Sequence, residues 1–421
     1  MKTKYLLILL AVALIAGVFF VQDSDEREQL SGLVREGEGP VQLKDKHLWE
    51  FERLRDPKTG KIPAGIERAS AEFSAKLPVA ARYDNKGNKT LAGSWQKRGP
   101  HFVGGRTRAL AIDKLDNKIL LAGGVSGGMW KSTDDGTSWV KKTTSTQLQS
   151  VSCVAQDTRP GKENIWYYGT GEYFNIYGGL RGDGIMKSTD GGETWFGLES
   201  TLSKTPQSWD SRFDYIWNIA VNHKNLEQDE LFAATAVGCI VRSTDGGETW
   251  TTVLGSYGNE SSWFTDIEIT ANGVFYATLS QKTFDDYANS KNMGIYRSLD
   301  GVEWTEITPD FIPKQYRRVC IGVAPSDENQ VYFLAETPES GKLTRNSRGD
   351  SLWHSIWKYT YLSDDGSGEW DDRSSSIPRV DPTRLHFNSQ GSYDLIVKVH
   401  PENADIVYIG GTSLYRSTDG F

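Results

Sequence analysis

Residues 243–250 read Ser243-Thr244-Asp245-Gly246-Gly247-Glu248-Thr249-Trp250, and close copies of this octet recur along the chain. Ser132 to Trp139 reads STDDGTSW, Ser188 to Trp195 reads STDGGETW, and Ser298 to Trp304 reads SLDGVEW, one residue shorter. A broken copy runs from Tyr359 to Trp370, and Ser417-Thr418-Asp419-Gly420-Phe421 opens another. The serines of the clear copies lie 56, 55 and 55 residues apart, and Tyr359, in the serine's place, stands 58 before Ser417. Self-similarity at a fixed period marks a repeat architecture, so the repeat decides the fold before any local reading does.

Each octet follows a short apolar stretch that ends in a basic residue: Met129-Trp130-Lys131, Ile185-Met186-Lys187, Ile295-Tyr296-Arg297, Leu414-Tyr415-Arg416. Another strand-like stretch comes after it, which makes the octet a hairpin connection. Ser and Asp hydrogen-bond the amides of their own turn, and Gly supplies the positive φ that the reversal needs. The closing Trp brings a large apolar group with one N–H donor, suited to folding back under the turn. The structural set is therefore Ser132, Asp134, Gly136 and Trp139; Ser188, Asp190, Gly192 and Trp195; Ser243, Asp245, Gly247 and Trp250; Ser298, Asp300 and Trp304; and Ser417 with Asp419. A catalytic role for these acids is the weaker reading, because an enzyme rarely needs one acid in five or six copies.

The pattern resembles the Asp-box, or BNR repeat, of sialidases, xyloglucan-degrading endoglucanases and sortilin-type receptors. The resemblance implies an all-β fold: a β-propeller of four-stranded antiparallel blades, with the box closing the hairpin between the third and fourth strands. It is similar above all to secreted bacterial Asp-box proteins of sortilin-like or glycosyl-hydrolase-like type, over roughly residues 45 to 421. The marks are Trp95-Gln96-Lys97-Arg98-Gly99-Pro100, Gly104-Gly105-Arg106, the segment Phe51 to Pro63, and Val399-His400-Pro401-Glu402-Asn403. One fold hosts many chemistries, so the resemblance speaks to shape and not to activity.

Composition agrees with strands and tight turns: 43 Gly, 14 Trp, 18 Tyr and 16 Phe stand against 4 Met and 3 Cys in 421 residues. A net charge of -8 argues against nucleic acid or an anionic membrane surface as the main partner. Cys153, Cys239 and Cys320 are an odd number, each inside an apolar run, and read as buried free thiols. The six His are scattered, so no metal site and no cofactor is expected. Residues 1–22 hold Lys2, Lys4 and an apolar run from Tyr5 to Val21, followed by acids. They read as a secretory signal or uncleaved signal anchor, placing the protein in an extracellular, cell-surface or periplasmic setting, with membrane attachment only through this segment.

Residues 23–93 read as a helical or linker pre-segment, with Ile66, Ala69, Phe73 and Leu77 at helical spacing. Residues 94–421 read as the propeller. Trp95 to Arg98 looks like a fourth strand without its first three, the kind of strand that closes a ring by joining the blade of the other terminus. Six blades follow: Thr107 to Lys142, Ser150 to Leu198, Tyr215 to Leu254, Phe264 to Ile307, Val319 to a weak strand near Trp370, and Asp394 to Ser417. The sixth is unfinished, so the ring is expected to be incomplete. A seven-bladed closure needs roughly 70 to 80 residues more at this period, which suggests an amino-terminal piece of a longer chain.

Within a blade the strand 1–2 and 3–4 turns share one face, so the octets decorate that face. The opposite face is built from the 2–3 loops and the crossings between blades, and the insertions fall there: Thr170 to Asp183, Gln281 to Met293, and Thr337 to His354. Long loops on a rigid scaffold are where binding usually resides. The ligand-binding candidates are Arg106, Arg108, Tyr173, Arg181, Asp183, Trp263 and Arg318, suited to a glycan or to a protein or peptide ligand. In sialidases an arginine in the position of Arg106 or Arg108 grips a carboxylate within a Phe/Tyr-Arg-Ile-Pro sequence, but Ile-Pro is missing here. A glycosidase needs two carboxyl groups flanking one bond, for which Glu172, Asp285 and Asp286 are the candidates, solvated loop acids being the plainer reading. Arg181-Gly182-Asp183 is an adhesion-type tripeptide that the turn at Gly182 explains as well. Two functions stay open: an exported binding or assembly module, and a glycoside hydrolase acting on a polysaccharide across the same face.

Overall fold

The computed structural model describes residues 48–49, 51–63, 65–76, 82–83, 89–90, 105–172, 180–205, 209–236, 238–257, 262–281, 292–345, 349–363, 367–378 and 387–421. Two compact units divide the chain: Met1–Ile66 with Tyr173–Gly179, and Glu67–Glu172 with Leu180–Phe421. The apolar run at residues 5–21 and the Trp95 to Arg98 strand lie outside the described residues.

In the first unit a helical turn at residues 51–54 runs into a tight loop in which the Gly60 amide donates to the Asp56 carbonyl and the Asp56 amide to that of Lys61. Arg53 stacks on Trp49, and Arg55 pairs with Glu52 at 2.7 Å. Helix α1 (Ile66–Lys76) comes next along the chain, and on it Phe73 stands exposed. A two-stranded ladder follows, β1 (Arg82–Tyr83) with β2 (Lys89–Thr90), in a stretch whose spacing suggested helix or linker.

Six antiparallel sheets then succeed one another. Blade one holds β3 (Thr107–Ile112), β4 (Leu120–Gly124), β5 (Gly128–Ser132) and β6 (Val140–Lys141). Blade two holds β7 (Cys153–Gln156), β8 (Trp166–Gly169), β9 (Ile185–Ser188) and β10 (Phe196–Gly197). Blade three holds β11 (Ile216–Val221), β12 (Leu231–Thr235), β13 (Cys239–Ser243) and β14 (Thr251–Gly255), and blade four β15 (Thr265–Ile269), β16 (Phe275–Leu279), β17 (Gly294–Ser298) and β18 (Thr305–Glu306). Blade five runs from β19 (Val319–Val323) through β20 (Gln330–Glu336), β21 (Lys342–Arg345) and β22 (Ser351–Tyr361) to β23 (Gly368–Asp372). Blade six has three strands, β24 (Ile396–His400), β25 (Asn403–Gly410) and β26 (Leu414–Ser417). The fold is an all-β propeller of six blades.

The first strands line the centre, β3 beside β7, then β11, β15, β19 and β24 in turn. The hydrophobic cores lie between consecutive blades. Leu121 and Met129 of blade one meet Trp166, Tyr168 and Met186 of blade two. Tyr276 and Ile295 of blade four meet Ile321, Phe333 and Trp357 of blade five. Each large apolar side chain fully buried this way contributes about 1.5–3 kcal/mol, which is why both faces of a middle blade read as apolar. The three cysteines are free and buried in these seams.

The octets fasten the outer hairpins as one repeated motif. In blade three the buried Ser243 hydroxyl donates to Asp245 Oδ1 at 2.7 Å and accepts the Gly247 amide at 2.8 Å. Asp245 in turn accepts the Thr249 amide at 2.9 Å and its hydroxyl at 2.5 Å. Blades one and two repeat this through Ser132, Asp134, Gly136 and Ser138, and through Ser188, Asp190, Gly192 and Thr194. Trp139 and Trp250 donate their indole N–H to Gly136 and Gly247. In the shortened copy the Ser298 hydroxyl accepts from Gly301, one residue earlier in the turn. Burial opposes ionisation at Asp245 and Asp190, but hydrogen bonds from the Thr and Ser hydroxyls and turn amides outweigh it and hold both carboxyls at about 2.

Four hydrogen bonds fix which turns share a face. The octet amides of Asp135, Gly191 and Gly246 donate to the carbonyls of Lys118, Asn164 and Asp229 in strand 1–2 turns, and the Gly420 amide donates to Asp405 near the start of β25. The lysine before each of the first two octets also has a task that spacing alone did not reveal. Lys131 reaches across to Gly191 and Glu193 in the octet of blade two, and Lys187 to Gly246 in that of blade three.

Blade five corrects the expectation of a long loop from Thr337 to His354. Lys342 to Arg345 pairs with Ser351 to His354, so most of the insertion is a hairpin that lengthens β22. The broken octet is bridged by direct pairing of β22 with β23, Tyr359 opposite Trp370, their rings 5.0 Å apart. The strand at Trp370 is therefore a full member of the sheet. Leu110 and Ile112 of β3 and Ile396 and Leu414 of blade six stand exposed.

Candidate functional site

The face opposite the octets carries the starts of all the inner strands. Two of these starts are irregular in the same way. In β3, Thr107 pairs with Gly124 and Ala109 with Gly123, leaving Arg108 as an extra residue; in β11, Ile216 pairs with Thr235 and Asn218 with Ala234, leaving Trp217 extra. A β-bulge of this kind re-aims the side chain of its added residue. The consequence is that Arg108 and Trp217, two blades apart, meet: the Arg108 guanidinium lies 5.3 Å from the Trp217 ring centre.

Around this pair the described residues build one cluster. Arg108 also lies 4.9 Å from the ring of Tyr393 and 6.0 Å from that of Tyr215, and Arg318 lies 4.9 Å from Trp217 on another side. Arg318 donates to the carbonyls of Ser392 and Tyr393 at 3.3 and 3.1 Å. Arg106 pairs with Glu172 at 3.2 Å, and the Tyr393 hydroxyl donates to the other Glu172 oxygen. Glu172 is almost wholly buried, so blades one, two and six are joined through one carboxylate. Burial works against the Arg108 charge, while Tyr215, Tyr393 and Glu172 favour it and more than compensate, so its pKa stands above the ordinary value. Burial raises the Asp394 carboxyl, against the pull of Arg108, Arg318 and Arg106. Lower in the channel Asp266 accepts the Asn218 side-chain amide at 3.0 Å and the Ile321 amide at 3.2 Å, and burial moves its carboxyl up to about 6.

The sequence-derived candidates divide four ways. Arg106, Arg108, Glu172 and Arg318 come together, with Tyr393 from the blade crossing. Arg181 stacks instead on Trp209, and Asp183 is turned inward, accepting from Arg68 at 3.1 Å and from the Lys204 amide at 2.8 Å. Trp263 touches the cluster through its backbone, its carbonyl accepting the Trp217 indole N–H. Tyr173, Asp285 and Asp286 lie outside the described residues. Tyr215, Trp217 and Asp394 belong to the site yet escaped sequence reading. Their one available signal was position, at the first residues of inner strands on the insertion-bearing face. A buried Ser389–His354 contact of 2.8 Å in blade five has the look of a nucleophile pair, but both residues are fully enclosed, and Glu336 meets Ser389 and not the imidazole.

Fold and site together define a β-propeller with a cationic, aromatic channel mouth. No protein-family model matches the chain. It is similar to the xyloglucanase Xgh74A of Acetivibrio thermocellus, 23% identical over 352 residues, covering 73% of this chain and 39% of that protein. The chain thus spans about two fifths of the relative's length. Among solved structures it is similar to the GH74 enzyme of Niastella koreensis, with 19% identity and a TM-score of 0.48 over 74% of this chain and 45% of that one. The GH74 xyloglucanase of Xanthomonas campestris gives 16% identity and a TM-score of 0.48, over 75% and 44%.

Proposed function

We propose that the chain is an exported Asp-box β-propeller that binds a glycan through the channel mouth opposite its octets. One observation carries this: side chains from the starts of four inner strands, with Glu172 from blade two, converge on a single point of the propeller. Such pre-organisation suits recognition, since little side-chain freedom remains to be lost on binding. Support for a glycan comes from the curated relative, whose name states that it acts on xyloglucan. The apolar run from Tyr5 to Val21 supports export.

The second reading is a glycoside hydrolase acting at the same mouth, favoured by that relative and by Glu172, an acid already held between a phenol and a guanidinium. A hydrolase needs a second carboxyl group with a raised pKa to act as general acid, and Asp394, lifted by burial, is the described group that fits. Calorimetry against xyloglucan and a panel of plant and bacterial polysaccharides, with reducing-end analysis of the same mixtures, separates the two. Saturable binding without new reducing ends supports the module. Release that disappears in both Glu172→Gln and Asp394→Asn supports the hydrolase, and a chain that neither binds nor cleaves any member of the panel refutes both.

A further inference from the structure

We infer that the ligand presents a carboxylate to Arg108 and Arg318, so that the glycan of the proposed function is an acidic one, built from uronic acid residues; this rests on the glycan reading above. Three arginines reach the mouth, and Glu172 pairs with one of them, Arg106. Among the described residues no carboxylate stands at ion-pair distance from Arg108 or Arg318. Asp394 and Asp266, the other acids that sense them, remain outside that distance. Both guanidiniums are half-buried and held by ring faces of Trp217 and Tyr393.

Stacking uses the flat face of a guanidinium and leaves its N–H edges for a planar, two-oxygen acceptor. Arg108 hydrogen-bonds the Tyr393 side chain but no described carboxylate, and Arg318 uses one nitrogen on two backbone carbonyls, so N–H groups remain on both guanidiniums. A ligand carboxylate supplies these half-buried cations with the direct ion pair that no described residue makes. A second observation points to the same place. Tyr215 is only 1% exposed, and its hydroxyl has no partner among the described residues, although it senses both Arg108 and Arg318. A buried phenol without an acceptor is rare in folded proteins, and a ligand oxygen entering between the arginines supplies one.

The test uses the whole chain and pairs of ligands that differ only in charge. Oligogalacturonate and oligoglucuronate are titrated beside their methyl esters, which keep the sugar and remove the negative charge. We expect the acids to bind at least tenfold tighter than the esters, with the difference shrinking as salt rises. Arg108→Gln and Arg318→Gln should each bring the ratio of acid to ester affinity down towards one. Comparable affinity for acid and ester overturns the inference and leaves glycan binding standing, as does binding of neutral xyloglucan alone. Binding of a peptide through its C-terminal carboxylate, with no sugar bound, overturns both. The ester comparison is made on the unmodified chain, so misfolding of either variant does not blunt it.

Discussion

Replacing Ser243 by alanine removes one hydroxyl and disturbs three bonds. The serine is buried, donates to Asp245 at 2.7 Å, and accepts the amides of Gly247 at 2.8 Å and Asp245 at 3.3 Å. Thr249 still holds the Asp245 carboxylate, so the charge does not go unsolvated. The Gly247 amide, in contrast, is left buried without a partner, a loss of about 1–3 kcal/mol, and the charge-assisted bond to Asp245 adds roughly 1 kcal/mol. We expect Ser243→Ala to destabilise the protein by about 2–4 kcal/mol. Thr244→Ala, next in sequence, should stay within about 0.5 kcal/mol of the parent. Urea unfolding followed by tryptophan fluorescence measures both, and hydrogen exchange of a peptide spanning residues 243–250 should show faster exchange in Ser243→Ala alone. Matching midpoints and unchanged exchange in the two variants would mean that the hydroxyl does not fasten the hairpin.

Further outcomes follow from the same geometry. Gly247→Ala forces a side chain onto a residue at φ 99°, with its Cβ 2.4 Å from Leu198 Cδ1, and should cost about 2–4 kcal/mol in a urea titration. Tyr393→Phe leaves one oxygen of the buried Glu172 without its donor and should cost about 1–3 kcal/mol, with greater protease sensitivity at the mouth. Burial lifts the Asp214 carboxyl to about 6, although the Ser211 and Asp210 amides favour its ionised form. Because the folded value exceeds the unfolded one, this residue's contribution is complete below pH about 4 and is lost between about 4 and 6. The loss is up to about 3 kcal/mol, and Asp214→Asn should flatten that part of the Tm–pH curve. The octet acids act in the opposite window: with folded values depressed to about 2, Asp190 and Asp245 stabilise above about pH 4 and lose this as pH falls through 2.

The blades could be read from sequence because the octet is a local device. Ser243, Asp245 and Gly247 satisfy one another within five residues, so composition and spacing carry the whole turn. Blade five was harder to read for the converse reason. Its extra strand pairs Lys342 with His354 across a loop of Gly, Ser, Asn and Arg that reads as irregular, and only the partner strand reveals the alternation. The site was half legible. Arg106, Arg108, Arg318 and Glu172 stood out by charge and position, whereas nothing in the text around Trp217 set it apart. Its role depends on a bulge, and a bulge is a property of two strands in register, so a single stretch of text does not contain it.

The lysines that precede the octets give the ring its mechanical character. Lys131 and Lys187 each grip the hairpin of the following blade, so the first three blades are laced along their rim as well as glued along their flanks. Later junctions change the stitch: Arg242 turns back to Glu230 of its own blade, and Arg297 rests on the Tyr361 ring of blade five. Damage to one early hairpin should therefore loosen its predecessor too, and the first three blades should open as a block under load or heat, parting from the rest at the junction of the third and fourth.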